Sequence, residues 1–405
     1  MRRLIVVLSL GCLLVSMLAP SAAARPGWKR DLDRIMRNKP TGLHVRDAGK
    51  TLYSWSAETK RIPASNQKLL LSMALLDRLK PGTRLATSAV GRSVSSGTLR
   101  GNLFVIGRGD PTLASGGSFA GSLAIKPTYV GRLARKIKAS GVRRITGRVV
   151  GAQTYFAHDW WASGWKSFYP SSEVALPAAL NLNGNVHKGR HISNPEWKLA
   201  ETLTKQLRSI GVRVGGRPKS GGGPPDYAGT LVARVRSPRL DSMMRHMNRK
   251  SSNFFAEVLG KLLAAQRSGP PGTIAKGAVG IKAWAARYNV RVRAHDSSGL
   301  STSNRVSPKG LTRLLGVAQR QSWGQRLRSM LPTGGEGTLE DRLRGVAVRA
   351  KTGTLDGVST LSGWVRLKRA GTWAEFSIMS RSMSKTGAMK LEDRIVRLLR
   401  KRARS

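Results

Sequence analysis

Cysteine is almost missing from this 405-residue chain: the single one, Cys12, falls within the first 24 residues. A fold stapled by disulfides is therefore excluded, and stability has to come from a buried core, which a chain this long can build. Acidic residues are scarce too, 21 Asp and Glu against 71 Lys and Arg, which leaves a formal charge of +50. Such a surface draws polyanions. Aromatic residues are few, and no stripe of them is interleaved with the basic residues as stacking on single strands would require, so nucleic acid is not an expected partner. Long apolar runs are also absent after the first one. That run, 4–18, follows Arg2 and Arg3 and precedes Ala22-Ala23-Ala24. Basic start, short apolar stretch and small-residue cleavage site describe an export signal over 1–24, which leaves a mature chain with no transmembrane segment. Cys12 lies inside the apolar stretch and reads as an ordinary signal residue, not a lipid attachment point.

What remains is organised into recognisable pieces. "TGLHVRDAGKTLYSW" alternates apolar and polar residues on either side of a turn at 47–50, a hairpin pattern. The run after Ser65 (Leu69, Leu70, Leu71, Met73, Leu75, Leu76) is apolar on every side, which predicts a helix in the centre of a domain. From 89 to 234 short β-rich pieces alternate with Gly/Ser turns, and the Gly/Pro segment 215–226 reads as loop. Helical periodicity returns over 240–263, strands follow in "VSTLSGWVRL" and "WAEFSIMS", and Leu391, Ile395, Leu398 and Leu399 line one face of a closing helix.

Three short motifs carry chemistry. In "IPASNQKLLLSMALL", Ser65 stands three residues before Lys68 at the mouth of the buried helix. That spacing places both on one helix face. Burial disfavours an ammonium, so the amine can become neutral and take the serine proton. In "NRKSSNFFAEVLGKLL", Ser251 and Asn253 open a second apolar helix; Ser251 can relay a proton between Lys68 and a leaving group, and Asn253 can hold a substrate amide and the lysine. In "VRAKTGTLDGVSTLSGWVRL", Lys351 supplies a second cation that would lower Lys68 further. With Thr352 and Thr354 it would receive an anionic substrate end, while Gly353 would let substrate approach the strand closely. The backbone N–H groups of Ser65 and Thr354 would form an oxyanion hole. The same spacings recur at Ser163/Lys166, Ser382/Lys385 and Lys385-Thr386-Gly387, but none of these leads into a buried helix or a strand.

Ser-x-x-Lys, Ser-x-Asn and Lys-Thr-Gly in this order form the signature of penicillin-binding proteins and class A β-lactamases. Together with "PASNQKLL", "GRGDPTL", "LNLNGN", "SSNFFAEVL", "DSSGLSTSNRVSP", "LPTGGEGTL" and "AKTGTLDGVSTLSGWV", the chain resembles the D-alanyl-D-alanine carboxypeptidase/endopeptidase family, the class C low-molecular-mass penicillin-binding proteins. The resemblance implies an α/β (α+β) transpeptidase-like domain, with an antiparallel sheet flanked by helices, formed by 25–88 and 235–405. It also implies an inserted β-rich region, 89–234, shorter than in some relatives. Ser65 would be the acylated nucleophile and Lys68 its base, with Ser251, Asn253, Lys351, Thr352, Gly353 and Thr354 completing the site. The family commonly has glycine at Ser297 and arginine at Thr302, which puts substrate contacts near Ser301 in question.

The activity so implied is an exported, envelope-located serine DD-peptidase that trims peptidoglycan stem peptides. β-Lactams would be covalent inhibitors, and no metal or organic cofactor is implied. Anionic cell-wall polymers are a candidate partner for the positive charge. The alternatives are a β-lactam hydrolase and a cationic wall-binding protein with little catalysis. "GRGDP" reads as a turn, and His187 and His191 read as loop residues because Gly189 separates them and no paired glutamate is present. Glu257 and Glu336 are the carboxylates nearest the motifs, either of which could assist deacylation; neither is assigned a role.

Overall fold

A computed structural model describes residues 26–222 and 229–403. The expected export signal lies outside the described residues. Among them, no helix is long and apolar enough to cross a membrane.

The hairpin forms as its alternation requires. Strands Thr41–Asp47 and Lys50–Trp55 are joined through Ala48 and Gly49, whose φ angles of 46° and 87° match a tight turn to the strand twist. The chain returns much later with Val348–Leu355, Val358–Arg366 and Trp373–Arg381, completing an antiparallel sheet. Val348–Leu355 is one edge, followed by Val358–Arg366, Trp373–Arg381, Thr41–Asp47 and Lys50–Trp55. Because side chains alternate along a strand, each face has its own partners. Leu43, Val45, Leu361, Phe376 and Ile378 pack on helix Gly27–Met36 and the closing helix Lys385–Arg402. Trp364 and Met379 face the other way, into a core shared with the helices Gln67–Arg78, Leu240–Lys250, Asn253–Ser268, Ile274–Ala286 and Pro308–Arg320. Every residue from Gln67 to Leu76 is buried, as a helix apolar on all sides demands. Lys351 and Gly353 share the inward parity of Trp364, and this carries them under the helix layer.

A second sheet runs in the order Lys219–Gly221, Val149–Ala152, Leu103–Gly107, Arg84–Gly91, Thr230–Arg239. Its inner three strands are parallel at one side and antiparallel at the other. The β-rich reading of this region captures the sheet but not the helices Val130–Ala139 and Pro195–Ser209, which close a separate core through Leu133, Ile137, Leu199 and Leu203. Arg84–Gly91 begins before residue 89, and its partner Thr230–Arg239 runs past 234.

One local expectation changes. The segment read as loop contains the short parallel edge strand Lys219–Gly221, where pairing with Val149–Ala152 overrides the Gly/Pro composition. The periodicity over 240–263 divides where the second helix was expected to open: it breaks at Ser251, left-handed at φ 56°, and restarts with Ser252 capping the amide of Phe255.

Candidate active site

Ser65 sits in a single 3-10 turn, Ala64–Asn66, that runs into helix Gln67–Arg78. Side chains of the sheet pin this turn. Asn66 Nδ2 donates to Ser362 Oγ at 2.9 Å and Thr360 Oγ1 donates to the carbonyl of Pro63 at 3.0 Å. Gln67 Nε2 donates to the carbonyl of Asp296 at 3.1 Å. Ala64 is held at φ 46°, a left-handed conformation that costs an L-residue about 1 kcal/mol and persists only where the surroundings impose it. Gly353 explains how the turn comes so close. A Cβ there would lie 2.3 Å from Thr360 Oγ1, 2.9 Å from Ser65 N and 3.0 Å from Pro63 O. The glycine therefore makes room for the turn that carries Ser65, where the sequence had suggested room for substrate.

Lys68 has no exposed surface, and its amine has three partners. Nζ donates to Ser65 Oγ at 3.0 Å, Asn253 Oδ1 at 2.8 Å and the carbonyl of Ser298 at 2.6 Å. Burial lowers its ammonium from 10.5 to about 8, against the opposing pull of Asp296 and Glu257. Lys351 is equally buried; its Nζ donates to Ser251 Oγ at 2.9 Å and to the carbonyl of Thr352 at 2.8 Å. Burial, then repulsion from Lys68, holds its ammonium well below the lysine range. Burial, and not Lys351 as expected, lowers Lys68, and the repulsion between the two amines bears on Lys351 itself.

The helix break places the other two residues. Ser251, left-handed between the helices, meets Lys351 and not Lys68, the partner expected for a proton relay. Asn253, in the first turn of the next helix, reaches Lys68 and also donates to the carbonyl of Glu173 at 3.4 Å. Thr352 Oγ1 donates to Thr338 Oγ1 at 2.8 Å, and Thr354 is exposed near the end of the edge strand. Ser251, Asn253 and Phe254 form one wall of a cleft of about 1100 Å³ that continues past Glu173, Phe119 and Lys188.

Several contributors have no role assigned from the sequence. Asp296 is buried. Its carboxylate accepts from Gly299 N at 3.0 Å, Ser301 N at 2.7 Å, Asn304 Nδ2 at 2.7 Å and Trp165 Nε1 at 2.8 Å. Glu257, also buried, accepts from Ser297 N at 3.0 Å and Ser298 N at 2.7 Å, and burial with the nearby Asp296 pushes its carboxyl up to about 8. Glu336 instead lies half-exposed and pairs with Arg249 at 3.2 Å. His187 and His191 flank a tight hairpin at the cleft rim. Of the decoys, Lys166 pairs with Asp356 at the surface, and Lys385 begins the closing helix.

A serine whose hydroxyl meets a buried, depressed lysine amine beneath an open sheet edge defines a lysine-assisted serine hydrolase. Comparison with known proteins gives the family. The model of the D-Ala-D-Ala carboxypeptidase 3 (S13) family matches residues 30–190 and 175–402, and the chain belongs to that family of serine-type D-Ala-D-Ala carboxypeptidases. The D-alanyl-D-alanine carboxypeptidase of Actinomadura sp. (strain R39) is 28% identical over 480 residues, covering 93% of this chain and 85% of that one. Carboxypeptidase DacB of Mycolicibacterium smegmatis is 27% identical over 400 residues, covering 93% and 84%. In fold, penicillin binding protein 4 of Haemophilus influenzae superposes with a TM-score of 0.77 at 21% identity, covering 92% of this chain and 99% of that one.

Proposed function

We propose that the protein is an exported serine DD-peptidase that removes terminal D-alanine from peptidoglycan stem peptides through an acyl-enzyme on Ser65. The observation that carries this reading is the Lys68 amine, buried, lowered to about 8 and 3.0 Å from Ser65 Oγ. A neutral Lys68 takes the hydroxyl proton as Oγ bonds to the penultimate D-alanine carbonyl carbon. The N–H groups of Ser65 and Thr354 receive the oxyanion. The C–N bond then breaks, and the leaving amine takes its proton through Ser251, backed by Lys351. Water hydrolyses the ester and restores both groups. The substrate backbone would add along the open edge of Val348–Leu355, with its carboxylate at Thr352 and Thr354.

Cleavage of cross-links is the same chemistry on a longer leaving group, and β-lactams would acylate the same serine. A structure of the Haemophilus protein is described as complexed with a β-lactam. The division of labour we propose assigns 26–83 and 240–403 to the hydrolase and 84–239 to an inserted unit. The cationic surface would favour residence on anionic wall polymers.

The test is to incubate the protein with a fluorescent penicillin and, separately, with a peptide ending in D-Ala-D-Ala. A persistent label on the proteolytic fragment containing Ser65, with release of free D-alanine, is the expected result. Absence of label, or label elsewhere, ends this reading, and rapid turnover of the label favours the β-lactamase. The rate of acylation should also rise about tenfold per pH unit below about 8 and level above it, because only the deprotonated amine is a base. A profile flat from pH 5 to 9 would show that Lys68 is not the titrating base.

A further inference from the structure

Helix Asn253–Ser268 presents two side chains to the site from one face, Asn253 and, a turn later, Glu257. Only the first has a role so far. Glu257 reaches Lys68 indirectly. Its Oε1 accepts from the adjacent amides of Ser297 and Ser298, at 3.0 and 2.7 Å, and the carbonyl of that same Ser298 accepts from Lys68 Nζ at 2.6 Å. One helix face therefore governs two of the three partners of the amine.

The turn between them has little freedom to drift. Asp296 grips it from within through the amides of Gly299 and Ser301. Gly299, at φ 89°, lies so close to the nucleophile's turn that a Cβ there would stand 1.9 Å from the carbonyl oxygen of Ala64. Glu257 Oε2, by contrast, has no hydrogen-bond partner among the described residues, so one oxygen does the holding.

We infer that Glu257 is a positioning residue for acylation: it fixes the 296–301 turn so that the Ser298 carbonyl aims the Lys68 amine at Ser65. The inference rests on the reading of Lys68 as base. The position of the acceptor, and not the acidity of the carboxyl, is the property at stake, and two substitutions separate them. Glu257→Gln keeps an acceptor at the Oε1 position and removes the ionisable group. Glu257→Asp keeps the ionisable group and withdraws the acceptor by one methylene, beyond reach of both amides.

The experiment measures the acylation rate constant and the preceding non-covalent dissociation constant for a penicillin, with thermal melting as the check on folding. Glu257→Gln should acylate within about threefold of wild type, whereas Glu257→Asp should lose about 10- to 100-fold in the rate constant with the dissociation constant unchanged. Asp296→Asn sets an amide NH₂ against the donors Ser301 N and Trp165 Nε1, loosens the same turn independently, and should show the same split. The inference is overturned if Glu257→Gln is as impaired as Glu257→Asp, or if Glu257→Asp acylates at the wild-type rate, whatever Asp296→Asn does. Lys68→Ala runs in parallel; a wild-type rate there would instead remove the base assignment on which the inference rests.

Discussion

Lys68→Ala is expected to slow acylation of Ser65 by about 10³- to 10⁴-fold, toward the zero set by Ser65→Ala. The amine is the group in contact with the nucleophile that can accept its proton, and Lys351 is engaged with Ser251 and the Thr352 carbonyl. A loss of that size corresponds to about 4–5.5 kcal/mol of transition-state stabilisation. Stability should move the other way in the volume-conserving Lys68→Met. The folded-state pKa of Lys68 lies below its ordinary value, 10.5 falling to about 8. The unfolded chain therefore holds this proton more tightly, and below pH 8 the folded state carries a penalty of about 3 kcal/mol, relieved as pH rises from about 8 toward 10.5. Part of that gain is offset because Ser298 O and Asn253 Oδ1 lose their donor. Melting at pH 7 should thus be raised in Lys68→Met, and the advantage should shrink by pH 10. A variant that melts lower than wild type at pH 7 would contradict the buried-amine account.

Gly353→Ala should cost acylation about 10²-fold, although it adds a single methyl. The Cβ would meet Thr360 Oγ1 at 2.3 Å, Ser65 N at 2.9 Å and Pro63 O at 3.0 Å. Two of these are backbone atoms of the nucleophile's turn and cannot swing aside as a side-chain tip can. The turn must lift, carrying the Ser65 N–H away from the oxyanion and Oγ away from Lys68, and displacements near 1 Å are enough for losses of this order. Loss of the Thr360 bond to Pro63 should lower the melting temperature as well. The measurement is the acylation rate constant beside a melting curve; a folded variant that acylates at the wild-type rate would show that the strand does not seat the turn.

Much of the site was legible because its signals are local. Ser65 and Lys68 are one helical turn apart, Ser251 and Asn253 straddle a helix start, and alternation along 348–355 sets which of Lys351 and Thr352 points inward. The unread parts depend on backbone atoms and distant contacts. The Ser298 carbonyl leaves no trace in residue identity, and Glu257 looks like any helix residue until its two amide partners, 40 and 41 positions away, are known. Gly353 was recognised as a close-approach position, but the sequence could not say what approaches. In the fold, Val130, Leu133, Ala134 and Ile137 are spaced as one helix face, a signal present in the sequence and masked by the glycine-rich texture around it.

Strands Arg84–Gly91 and Thr230–Arg239 are hydrogen-bonded neighbours, and the amide of Leu240 meets the carbonyl of Thr83 at 2.8 Å. The excursion between them leaves and re-enters through one doorway. Once its two ends have zipped, the stretch that must be closed to bring Ser251 beside Ser65 shrinks to a few tens of residues, roughly, and the closure entropy falls by on the order of 1–2 kcal/mol. Length can be gained or lost far from the site within such an excursion without lengthening the path between Ser65 and Ser251, whereas the stretch that carries Trp165 and Glu173 is tied to the site through Asp296 and Asn253.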